Sequence, residues 1–203
     1  MATYQNLKSR VESELNRPDL SQEVSLAVHS AVNYYSGRRF FFNERRAVTT
    51  ATPSVNEYPV PDNFIAADNL RMRLDGQRFD ESLSYVSWNQ LDERYGYTGR
   101  PTIYTYYQEA IHVWPIPDST VIFTLSYVAR LPELSANTVS NAWTNGVGEE
   151  LIRSRACRDV ALRVLHDEQL GAIFGREEAL IVNRLDGELS MRVARGRVVK
   201  MGW

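Results

Sequence analysis

A single cysteine, Cys157, occurs in 203 residues, so the chain can build neither an internal disulfide nor a cysteine-based zinc site. That scarcity fits a reducing compartment. Neither sign of charge predominates: 23 Lys and Arg face 25 Asp and Glu, a formal net charge of -2. This excludes a protein that grips nucleic acid through a general basic excess, so any basic patch must be local. Long apolar runs are missing too. None approaches the roughly 18 residues that span a bilayer, and the opening Met1 to Arg10 lacks the apolar core of a signal peptide. We therefore expect a soluble, unexported protein with no membrane partner. With 11 Gly and 8 Pro, no internal repeat and no low-complexity linker, collagen-like and disordered classes are excluded as well. What is present is globular: 43% hydrophobic and 24% charged residues. At about 150 residues per domain, the length predicts one domain or two small ones.

Apolar residues at Tyr4, Leu7, Val11 and Leu15 follow the period of one helical face, and Pro18 ends the pattern. Asp19 or Ser21 can cap a second helix with the stripe Val24, Ala27, Val28, Ala31 and Tyr35, and Gly37 sits where a left-handed cap is expected. From Arg38-Arg39-Phe40-Phe41-Phe42 through Val48, Thr49 and Thr50 the pattern becomes extended. Leu70, Met72 and Leu74 alternate with Arg71 and Arg73 before Asp75-Gly76, which predicts a type I′ hairpin returning through Gln77 to Phe79. Thr102 to Tyr107 should pair with Ala110 to Trp114, and Pro117-Asp118 should turn the chain into a strand with Val121, Phe123, Leu125 and Tyr127 on one face, completing a meander. Ser87 to Tyr95 reads as a short capped helix. Helical periodicity returns at Asn145, with Leu151, Ala156, Val160 and Val164 on one line beside Cys157, Ala161 and Leu165. Gly171 interrupts it. Ile173, Phe174, Ile181, Leu185 and Leu189 then support a second, antiparallel helix ending near Gly187.

The expected fold class is therefore α+β: a helical bundle formed by N- and C-terminal helices, residues 1–37 plus 137–203, with an inserted antiparallel β-sheet region at 38–136.

Candidate chemistry is sparse. Cys157 and His166 lie nine residues apart on one expected helix and so on opposite faces, which argues against an activated thiol and makes Cys157 a core residue. His29 and His112 have no acidic or histidine neighbours at ligand spacing, so no metal is expected. Glu149-Glu150 and Glu177-Glu178 could in principle serve a cell-wall hydrolase by acid-base catalysis, but adjacent helical carboxylates more often mark a solvated face or an N-terminal turn. No catalytic residue and no cofactor are expected. Arg71, Arg73, Tyr104, Tyr106 and Trp114 belong to a β region dense in Arg and aromatics, which fits a tail-facing or inter-subunit protein interface better than a nucleic-acid-binding module, given the balanced charge. After Glu188 no acid appears, while Arg192, Arg195, Arg197 and Lys200 are interleaved with apolar residues. In an extended chain Val199, Met201 and Trp203 share one face, the arrangement of a docking tail.

Three segments, in order and spacing, resemble the head-to-tail adaptor (head-tail connector) proteins of tailed bacteriophages. Glu57-Tyr58-Pro59-Val60-Pro61-Asp62-Asn63-Phe64 is similar to that family's Tyr-x-Leu-Pro-x-Asp-Phe. Leu91-Asp92-Glu93-Arg94-Tyr95 leads to Gly99-Arg100-Pro101-Thr102. Ile111-His112-Val113-Trp114-Pro115-Ile116-Pro117-Asp118 precedes Leu125 to Ser135. The resemblance implies a structural virion protein rather than an enzyme. It would form a homo-oligomeric, twelvefold ring at the portal vertex, extend the DNA channel without sequence-specific binding, and offer a platform for downstream tail or nozzle proteins, being made and assembled in the bacterial cytoplasm. The basic, apolar tail after Met191 has no clear family counterpart. On its docking character, Arg195, Arg197, Val199, Met201 and Trp203 are the expected contacts with the portal protein.

Overall fold

A computed structural model describes residues 2–92 and 96–196, with side chains through Arg192. The fold is α+β and the chain divides into two compact units: the first 43 residues together with the chain from Leu131 onward, and Glu44–Arg130.

In the helical unit, α1 (Tyr4–Glu14) is capped by Thr3, whose hydroxyl accepts from the Asn6 amide. A one-turn 3-10 helix, Pro18–Leu20, leads into α2 (Ser21–Ser36). Neither expected cap serves α2: the Asp19 carboxylate is taken by Arg17 at 2.7 Å, and Leu20 occupies the cap position without a side-chain bond. Gly37 keeps a right-handed φ of -84°, so no left-handed cap closes the helix. α4 (Gly146–Arg163) lies against α1, α2 and α5 (Glu168–Gly196). Three expectations fail here. His166 lies in the α4–α5 turn at φ 53°, not on the Cys157 helix. Gly171 does not interrupt α5 but permits its approach to α4, since a Cβ there would stand 2.4 Å from Leu162 Cδ2. Gly187, for its part, is mid-helix.

The boundaries between the units also differ from those expected. Phe40 and Phe42 are not strand residues; both rings meet Trp143 edge-on, at 5.9 and 5.1 Å, inside the helical core. Buried Asn43 shapes their turn, accepting from the Phe40 amide and donating to the Arg38 carbonyl, both at 2.8 Å. Three consecutive Phe look extended in sequence, but a turn held by an Asn side chain delivers them to one aromatic cluster. Leu131 and Leu134 join the same core.

The β unit holds two four-stranded sheets rather than one meander. The first orders β1 (Glu44–Ala51), β8 (Val121–Ala129), β3 (Phe64–Leu74) and β4 (Glu81–Ser82). The second orders β2 (Glu57–Pro59), β7 (Ala110–Trp114), β6 (Ile103–Tyr107) and β5 (Ser84–Tyr85). The expected β6–β7 pairing is present, with Tyr104 opposite Val113. β8, however, leaves that sheet to pair with β1 and β3, because its apolar face must be buried against something. Leu70, Met72, Val121, Phe123 and Leu125 from one sheet and Tyr58, Tyr104, Ile111 and Val113 from the other make a single core. At the end of β3 only Gly76 takes a positive φ, 79°, and the Gln77 amide donates to the Leu74 carbonyl at 3.0 Å, so the turn is not type I′. The return strand begins at Glu81, leaving Phe79 exposed. A short helix, α3 (Trp88–Asp92), stacks Trp88 on Tyr107 at 4.3 Å.

Candidate functional site

One member of each acidic pair is buried and the other is partly exposed. Glu149 and Glu178 are buried, each turned toward neighbouring helices by its place on α4 or α5. Glu178 accepts from the Tyr35 hydroxyl at 2.5 Å, Arg155 at 2.9 Å and Arg158 at 2.8 Å, so one carboxylate joins α2, α4 and α5. Burial would raise its pKa, but these three donors together outweigh it and hold the carboxyl below its ordinary value. The Tyr35 hydroxyl is pushed up, first by burial and then by its bond to Glu178. The Arg155 guanidinium stacks over the Tyr34 ring at 3.8 Å. Glu149 pairs with Arg10 at 2.8 Å, while Arg153 reaches both Glu14 and Glu177. Glu150 pairs with Arg184. Every one of these four glutamates is thus engaged by arginine in a charge-assisted contact.

Cys157 is fully buried, and burial pushes its thiol up to about 12, against the smaller opposing pull of Arg153. A thiol so placed is a packing group rather than a nucleophile. His112 is buried beneath Trp88, its Nε2 3.3 Å from the Tyr107 carbonyl, and His29 packs edge-on to Tyr4. Among the described residues, no three His, Cys, Asp or Glu side chains come together to hold a metal ion, and no helix is long and apolar enough to cross a membrane.

The five β-region interface candidates do not form one surface. Arg71 and Arg73 share the outer face of β3, opposite the face that buries Leu70 and Met72. Arg73 lies 3.9 Å from Asp80, which also meets Arg46 at 3.4 Å, whereas Arg71 has no ion pair among the described residues. Tyr104 must be removed from the set: it is 4% exposed in the core between the sheets, where β6 alternation and its ring size place it. Tyr106 borders the same core against Phe64 at 4.8 Å, and Trp114 lies on the other face of its sheet against Tyr97 at 5.9 Å. Of the docking-tail candidates, Arg195 lies on α5, with its side chain outside the described residues, and Arg197, Val199, Met201 and Trp203 lie outside them altogether.

Two apolar features of the helical unit were not read from the sequence. A groove of about 290 Å³ runs between α2 and α4, lined by Leu26, Ala27, Val160 and Val164 with Glu23, Asp159 and Arg163. On α5, Ile173 and Leu180 are exposed on the side away from α4, with exposed Arg176 between them. Leu26 carried the available signal, since it falls off the buried stripe of its helix.

No curated protein matches the sequence. The family model described as SU10 adaptor protein matches residues 2–197, nearly the whole chain and both structural units. The chain belongs to the SU10 adaptor protein family, a family of structural head-to-tail adaptors of bacteriophages.

Proposed function

We propose that this chain forms a twelvefold ring at the portal vertex between head and tail, bound to the portal on one side and offering a platform for tail proteins on the other. The observation that carries the reading is the family match across residues 2–197. A ring subunit needs two lateral surfaces and two axial ones, and the helical unit, tied internally by arginine–glutamate pairs, suits the ring body. α5 runs as one helix through Arg195 to Gly196, directly into the basic, apolar segment that contains Arg197, Val199, Met201 and Trp203. That segment docks the portal protein. Arg71, Arg73, Tyr106 and Trp114 of the β unit, on their separate faces, serve tail-facing or inter-subunit contacts, and double-stranded DNA passes through the channel without sequence-specific contacts, consistent with the balanced charge. Docking of the tail lets the portal template the ring, so that free subunits remain dispersed in the host cytoplasm.

The test is negative-stain imaging of the chain co-expressed with the portal protein of the same phage. An added layer with the portal's symmetry is expected. Portal particles without added density, beside a soluble monomeric chain, overturn the reading. Removing residues 192–203 should abolish the layer, and a stable ring of the shortened chain refutes templating by the portal.

A further inference from the structure

We propose that the exposed stripe of α5 on one copy seats in the α2–α4 groove of the next copy, making the lateral contact of the ring. This rests on the ring reading above and names the surfaces it uses. On α5, Ile173 and Leu180 are 57% and 71% exposed, seven residues apart on one helical face, with Arg176 between them. The groove presents the complementary pattern: Leu26, 66% exposed, with Ala27, Val160 and Val164 as its apolar surface. An apolar helix face laid into an apolar groove, with anchors at i and i+7, is a recurrent mode of helix recognition.

Charge selects the occupant. Two carboxylates, Glu23 and Asp159, line the groove against one guanidinium, Arg163, leaving it net acidic. The Asp159 residue is 7% exposed, its Oδ2 has no hydrogen-bond partner, and its Oδ1 lies 3.7 Å from an Arg155 that also serves Glu178. The α5 stripe brings the opposite sign through Arg176, while Arg184, further along the helix, is already paired with Glu150. Arg176 of one copy thus meets Glu23 of the next, in the field of Asp159. Two α5 stripes facing each other would oppose arginines and leave both grooves open. The contact is therefore heterologous, the kind that closes into a ring when the rotation permits.

Leu26, Leu180 and Arg176 are exposed and Glu23 is half-buried, so each can be changed with little effect on the fold, as thermal unfolding will verify. In portal complexes, Leu26→Cys and Leu180→Cys chains mixed together should give disulfide dimers on mild oxidation, and neither chain should do so alone. A chain carrying both substitutions should give a ladder of higher oligomers. Leu180→Glu, Arg176→Glu or Glu23→Arg should each weaken the layer about tenfold or more, the scale set by one buried leucine or one paired charge. Arg176→Glu combined with Glu23→Arg should restore it. A normal layer without the mixed crosslink overturns the seat but leaves the ring standing, as does self-crosslinking of either single variant. Failure of the double charge reversal, or crosslinking of Leu26→Cys to Trp203→Cys instead, also overturns it. Absence of a layer with the unsubstituted chain overturns the ring reading and this inference together.

Discussion

Replacing Glu178 with Gln tests whether the arginine cluster holds the helical unit together. The substitution keeps the shape but removes the charge that accepts from Tyr35, Arg155 and Arg158. Arg155, with a side chain only 16% exposed, would be left with Asp159 at 3.7 Å and its stack over the Tyr34 ring. Arg158 is 38% exposed, so water compensates much of its loss. Breaking a buried pair by neutralising one partner costs about 3–5 kcal/mol, and retained packing and the solvated Arg158 place this case near the lower end, about 3 kcal/mol. For a chain of this size that is roughly 6–12 °C in Tm. Urea unfolding, followed by the near-ultraviolet signal of Trp143 and its aromatic neighbours in the same unit, reads the loss directly. The folded pKa of Glu178 lies below its ordinary 4.5, so the native state binds this proton less readily than the unfolded chain. Its stabilisation is complete above that ordinary value and is lost as pH falls through the folded one. The difference between the two proteins should therefore be full at neutral pH and shrink in acid. A loss below about 1 kcal/mol at neutral pH, or one of unchanged size through the acid titration of the carboxyl, refutes the reasoning.

Other outcomes follow from packing and burial. Trp143→Ala should cost about 3–5 kcal/mol in chemical denaturation, because the ring is 1% exposed between Phe40 and Phe42. Gly148→Ala should destabilise by at least about 1–3 kcal/mol despite the better helix propensity of Ala, since its Cβ would stand 2.0 Å from the Ala142 carbonyl oxygen and only backbone movement relieves that. Cys157, buried with its thiol pushed up to about 12, should resist an aromatic disulfide reagent at mildly alkaline pH and react at once in denaturant. Rapid labelling of the native protein would show that α4 opens at this point.

Much of the architecture was legible in the sequence because each element repeats a simple period. Tyr4, Leu7 and Val11 point one way on a helix, and β6 and β7 match in length around a two-residue connection, so both are written locally. The ordered segments from Glu57 to Ser135 also carried the family, which no single motif did. Charge placement was less legible. Glu149-Glu150 and Glu177-Glu178 look alike as dipeptides, yet one member of each pair is buried and the other reaches arginines at the surface. Adjacent residues on a helix stand about 100° apart, and only the neighbouring helix decides which direction is inward.

By itself, the sequence determined the helical and extended stretches, the α+β class, the absence of a basic excess, and a family likeness spread over many residues. These depend on neighbours within a few turns or on order along the chain. Tertiary structure alone decided that Phe40 and Phe42 leave the β region for Trp143, and that β8 joins β1 and β3 while β7 stays with β6. It also placed Tyr104 inside and left Leu26, Ile173 and Leu180 outside. The reason is physical: periodicity says which residues share a face, but burial depends on what packs against that face, and that partner is distant in the chain.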